Sequence, residues 1–119
     1  MNKSYNSLLI NWYISALVSN DYNVGKGWNL LVGNLCENIL KLDGTVRIMQ
    51  VKQKFGELRF YYVEGQDKKQ RTKIKDLVKL AEMTSSSICE ECGSYDFVSN
   101  KTGPYVQSLC HKCQKRLLC

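Results

Sequence analysis

Residues 45–65, TVRIMQVKQKFGELRFYYVEG, decide the architecture. The runs TVRIMQVKQKF and ELRFYYVEG are rich in β-branched and aromatic residues, alternate with a period of two and meet at Gly56. That is the pattern of a β-hairpin. Met49, Val51 and Phe55 are predicted to share one face of the first strand, and Leu58, Phe60 and Tyr62 one face of the second. A lone hairpin is marginal in water, so this apolar surface requires a cover. The other face carries Lys52, Lys54 and Arg59 and reads as solvated.

Helical patterns on both sides supply the cover. Residues 3–19 place Tyr5, Leu8, Leu9, Trp12 and Ala16 at helical spacing, with an apolar arc wide enough for burial on most sides. NDYNVGKG (20–27) breaks that pattern. A second helix is predicted from about Trp28 to Leu42, with Trp28, Leu31, Leu35, Ile39 and Leu42 on one face and Asp43-Gly44 as its stop. A third runs from about Gln66 to Ser86 with an apolar stripe of Ile74, Leu77, Val78 and Ala81. Its flank carries Lys68, Arg71, Lys75 and Lys79, read first as a solvated surface and second as a binding surface.

The 119 residues carry 17 Lys and Arg against 11 Asp and Glu, a formal charge of +6. Four thiolates on one divalent ion would bring this to about +4. A moderately basic chain is no mimic of nucleic-acid phosphates, and its charge alone does not establish nucleic-acid binding. The longest apolar stretch, SLLINWYISALVS, is interrupted by Asn11 and Ser15 and is too short to span a bilayer. It reads as a packed helix rather than a leader, so a cytoplasmic protein without membrane contact is expected.

The last third holds two cysteine pairs, CEECG (89–93) and LCHKC (109–113). Cys89-x2-Cys92 and Cys110-x2-Cys113 have the spacing of a four-cysteine zinc site, in which two knuckles close a tetrahedron. Gly93 suits the sharp turn after the first knuckle. YDFVSNKTGPYVQSL between the pairs reads as two short strands around Asn100 to Pro104, and QKRLL as a short helix after the second knuckle. This is the plan of a zinc ribbon or treble clef.

Disulfides between cysteines three apart are rarely used as staples, and a redox dithiol does not explain a second pair. Four sulfurs also leave no open position for a catalytic zinc. His111, the only histidine, lies inside the second pair, where the sulfur set is complete without it, and it leaves no nucleophile–base pair. Cys36 reads as a buried small hydrophobe and Cys119 as a free terminal thiol. Binding at such a site contributes roughly 10–16 kcal/mol in isolated peptides, more than the roughly 5–15 kcal/mol net stability of a small domain. Residues 89–119 are therefore expected to depend on one structural zinc ion.

The fold class expected is α+β: three helices packed on a β-hairpin in residues 1–88, followed by a zinc-ribbon or treble-clef-like module in residues 89–119. QVKQKFGELRFYY (50–62), LAEMTSSSICEECG (80–93) and SLCHKC (108–113), with a helix opening at Trp28, resemble a family of small phage and prophage proteins. That family is marked by a KFG-x-LRFYY hairpin and a tail of two CxxC-like pairs, and the likeness covers about residues 26–113. The resemblance implies a role in phage–host conflict, as an anti-CRISPR type inhibitor of a host CRISPR effector, a type II nuclease in particular. The chain would then be no enzyme, take no small-molecule substrate, and act by protein contact. Aromatic and arginine anchors are expected there: Arg59, Tyr61 and Tyr62 on the hairpin, and Tyr95 and Tyr105 on the zinc module. The alternative is a nucleic-acid-binding zinc ribbon, with Lys101, Lys112, Lys115 and Arg116 around the metal and Lys68, Arg71, Lys75 and Lys79 extending the patch.

Overall fold

In the computed structural model the described residues are 21–96, 98–99 and 106–118. The expected helix over 3–19, Lys101, Tyr105 and Cys119 lie outside them, as do the side chains of Arg116 to Leu118. The described chain begins with β1 (Tyr22–Asn23), a 3-10 turn (Lys26–Trp28) and α1 (Asn29–Leu42). There follow β2 (Arg47–Lys54), β3 (Glu57–Val63), a second 3-10 turn (Lys68–Gln70), α2 (Arg71–Ser85) and α3 (His111–Leu118). The fold is α+β, as the hydrophobic periods require.

The three strands are ordered β1-β2-β3. β2 and β3 form the antiparallel hairpin, with Val51 opposite Phe60, Lys52 opposite Arg59 and Lys54 opposite Glu57. β1 was not anticipated: Tyr22 and Asn23 pair in parallel with Val51 and Lys52, inside the segment read as a break. The core joins the inner face of the hairpin to the apolar faces of α1 and α2: Trp28, Val32, Leu35, Cys36 and Ile39 meet Val51, Leu58, Phe60, Ile74, Val78 and Ala81. Cys36 is 1% exposed, and burial pushes its thiol up to about 12, so it behaves as the small hydrophobe expected.

Two sequence expectations for β2 fail, each for a geometric reason. The register slips between Ile48 and Gln50. This bulge puts Ile48, rather than Met49, against the core with Tyr62. Phe55 does not face the core either; it forms the hairpin turn and is 68% exposed. Its φ is 57° and that of Gly56 is 79°, the pattern of a type I′ turn. Gln53 Oε1 accepts the Gly56 amide at 2.8 Å and holds the turn closed.

The β3 edge is covered by side chains of α2. The Leu58 amide donates to Ser85 Oγ and the Phe60 amide to Glu82 Oε2, both at 2.9 Å. These bonds satisfy donors that would otherwise template pairing with another chain. At the other end of the hairpin, the buried Asp43 carboxylate ties entry to exit. Its Oδ1 accepts the Thr45 amide at 2.9 Å and its Oδ2 the Asp67 amide at 3.0 Å. The Thr45 hydroxyl and amide and the Asp67 amide hold this carboxyl below the usual aspartate range against the opposing effect of burial. Gly65 lies so close that a Cβ there would meet Asp43 Oδ2 at 2.2 Å.

A left-handed backbone costs a bulky L-residue about 1–2 kcal/mol, and exposure at the tip returns none of it. Phe55→Asn, a residue suited to the first position of a type I′ turn, should stabilise the protein by about 1 kcal/mol. Urea unfolding would show this as a raised midpoint with an unchanged slope.

Candidate metal centre

The chain enters the first knuckle from the end of α2, where the Ser87 and Ile88 amides donate to Thr84 and Ser85 carbonyls. Cys89 donates its amide to the Ser94 carbonyl, and its own carbonyl accepts the Gly93 amide, both at 2.8 Å. The turn demands a left-handed Gly93, with φ 84°. The second knuckle leaves a short bridge in which Ser99 and Leu109 exchange both backbone bonds at 2.9 and 3.0 Å. It enters α3 at His111, so the short helix expected after the second pair is present.

The Sγ atoms of Cys89, Cys92, Cys110 and Cys113 lie within 4.8 Å of one another. Cys92 and Cys110 sulfurs are 3.6 Å apart. Four sulfurs about 2.3 Å from a central ion would form a tetrahedron with edges of about 3.8 Å. The cluster therefore has the size and donor chemistry of a metal site, and all four cysteines are free of disulfides. Cys89, Cys110 and Cys113 are buried, while Cys92 is open to solvent. His111 is exposed and outside the cluster.

The surroundings ready one sulfur more than another. Burial pushes the Cys89 thiol up, but the amides of Cys110, Cys92 and Glu91 outweigh it and bring it to about 7. For Cys92 the Ser94 amide pulls down, but burial and the neighbouring Cys110 and Cys89 thiols raise the net value. Metal must displace these protons, so affinity follows their pKa values.

The metal module is fastened to the core by contacts that the cysteine spacing does not reveal. The Gly27 amide donates to the Glu90 carbonyl at 2.7 Å. The indole Nε1 of the fully buried Trp28 donates to the Ile88 carbonyl at 2.9 Å. The Gly25 amide donates to Glu90 Oε2 at 3.0 Å. Burial raises the Glu90 carboxyl, and the Gly25 amide opposes the shift. On the other knuckle, the Glu90 amide donates to the Ser108 carbonyl, and Ser108 Oγ donates to the Gly56 carbonyl in the hairpin turn. A Cβ on Gly27 would meet the Cys89 carbonyl oxygen at 2.2 Å and the Gly93 nitrogen at 2.5 Å. The sequence signal was GKG directly before a core Trp, which had read only as a helix break.

The residues expected at a partner surface fall in three places. Arg59 and Tyr61 share the outer sheet face, whereas Tyr62 is half-buried on the inner face, its ring 6.2 Å from that of Phe60. On the second 3-10 turn and α2, Lys68, Lys75 and Lys79 are exposed. Arg71 instead donates from Nη2 to the Gly65 carbonyl at 3.0 Å and lies 3.8 Å from Glu64, so it serves the hairpin exit. Tyr95, on the metal module, is 70% exposed. Among the described residues no helix is long and apolar enough to cross a membrane. Compared with known proteins, the chain matches no family model, no curated protein and no solved structure.

Gly27→Ala should unseat the knuckle from the core. We expect a destabilisation of about 3 kcal/mol or more, since both clashing atoms are backbone and cannot yield by changing a rotamer. Thermal melts of metal-loaded protein would measure it. Metal affinity, read by competition with a chromophoric chelator, should fall steeply as pH drops below about 7, where even Cys89 takes up its proton.

Proposed function

We propose that this chain is a small zinc-stapled binding protein that inhibits a host CRISPR effector, a type II nuclease, by protein contact in the bacterial cytoplasm. The observation that carries the reading is the four-sulfur cluster welded into the seam between core and tail. A tetrahedral ion held by four thiolates has no position left for substrate, and thiolate donors in that geometry favour zinc. The metal's work is then to fix surfaces rather than to perform chemistry.

Large apolar side chains stand out on those fixed surfaces. Phe55 is 68% exposed on a strained turn, Tyr95 is 70% exposed, and Val106 is 41% exposed just before the Ser108 that bonds the same turn. Aromatic anchors on a rigid frame suit a protein pocket, because little side-chain entropy is lost on docking. The likeness of the KFGELRFYY hairpin and the paired-cysteine tail to small phage proteins supports the choice of a CRISPR effector as target.

The test is a target-cleavage assay with a purified, guide-loaded type II effector, alongside size-exclusion chromatography of the mixture. Co-elution and loss of cleavage near equimolar protein are expected. Phe55→Asn and Tyr95→Ala should weaken both by tenfold or more, on the scale of interface hot spots. Unaffected cleavage together with separate elution would remove the proposal.

A further inference from the structure

We infer that the outer face of the sheet, opposite the core, is a platform for single-stranded nucleic acid, on which Tyr61 stacks a base while Lys52 and Arg59 hold phosphates. Strand alternation and the hairpin register place Gln50, Lys52 and Lys54 of β2 beside Tyr61, Arg59 and Glu57 of β3 on the face opposite the core. Its basic side chains read from the sequence as solvated, and two features of the structure argue otherwise.

The first is a like-charge pair. Lys52 and Arg59 are directly opposite each other across the strands. Such a pair disfavours folding. Glu57 is the one carboxylate on the three outward-facing pairs Gln50–Tyr61, Lys52–Arg59 and Lys54–Glu57; it stands opposite Lys54 and reaches Arg59 at 3.2 Å, so three cations share one carboxylate. The second is the aromatic ring. Tyr61 is 45% exposed, and Lys52 Nζ lies over its ring, 5.6 Å from the centroid, so a cation and a ring able to stack share one patch.

An anionic polymer with flat, unpaired bases answers both. Phosphates relieve the Lys52–Arg59 repulsion, and any base can stack on Tyr61 whatever its sequence. Duplex fits less well, because its bases are already stacked on one another and offer no free face to Tyr61. The platform is held rigid, because the reverse side of the same strands forms the core. It uses Lys52, Arg59 and Tyr61, whereas the proposed inhibitor contact rests on Phe55, Tyr95 and Val106, and it does not depend on that reading.

Fluorescence anisotropy with the full metal-loaded chain and labelled single-stranded 20-mers, one of deoxythymidine and one of uridine, tests the inference. Binding of either supports it, and comparing the two shows whether DNA or RNA is preferred. Affinity should fall with salt, with a log–log slope of about −1.4 for two phosphate contacts. Tyr61→Ala should weaken binding about tenfold and Tyr61→Phe should restore it. Lys52→Glu creates an opposite-charge pair with Arg59, so it should abolish binding while the melting temperature holds or rises. That combination separates a ligand surface from a structural one. No binding at low salt, stronger binding to duplex, or equal competition by polyglutamate would overturn the inference. So would loss of binding on neutralising Lys75 and Lys79 of α2 while the sheet variants bind normally.

Discussion

The close approach of Gly27 to the first cysteine knuckle is the contact on which the rest of the structure depends. A backbone amide reaches the Glu90 carbonyl at 2.7 Å, and the space a side chain would need is already filled by Cys89 and Gly93. Only glycine permits two backbones to meet this closely. Around this point Trp28 bonds the Ile88 carbonyl and Gly25 the Glu90 carboxylate, so one turn of chain carries three bonds to the tail. Trp28 is also part of the main core. The same residue thus opens α1, fills the centre of the domain and receives the metal module.

This arrangement couples two marginal pieces. A three-stranded sheet under two helices buries a modest core, and a tail of about thirty residues cannot build one of its own. A metal held by the four cysteines would close a long loop between the knuckles, and the seam joins that loop to the hairpin. Ser108, one residue before the second knuckle's bridge, donates to the carbonyl of Gly56 in the turn, while Ser85, at the end of α2, receives the Leu58 amide. Order at the cysteines and order at the hairpin edge therefore support each other. Such mutual support is what gives a small domain a single native state.

Period and spacing made the large elements legible. The hairpin, α1, α2, the buried Cys36 and the gathering of Cys89, Cys92, Cys110 and Cys113 all follow from patterns of two, of 3.6, or of CxxC. What was not legible has a common physical origin: it depends on backbone atoms meeting across long sequence separations. β1 is two residues long and offers no period. The bulge at Met49 shifts one side chain by one place, which composition cannot register. The seam uses the carbonyls of Ile88, Cys89 and Glu90, groups every residue possesses, so only the two glycines before Trp28 left a trace. Arg71 looked like one member of a basic stripe, yet its guanidinium serves the Gly65 carbonyl, a role fixed by tertiary position.

The residues that folding does not explain are more telling about function than those it does. Phe55 occupies a left-handed position where asparagine or glycine would be easier, and places its ring in water. Lys52 and Arg59 face each other although a carboxylate on either strand would relieve the pair. Stability alone would favour replacing each of them. Strain and repulsion of this kind persist where the surrounding structure over-determines them, and they concentrate at contact surfaces. Here the over-determination is visible: the turn is closed by Gln53 and stitched to Ser108, and the sheet is backed by the core. A metal at the four cysteines would let this small chain carry unfavourable side chains on its outer surfaces, and those side chains are the ones that folding leaves unexplained.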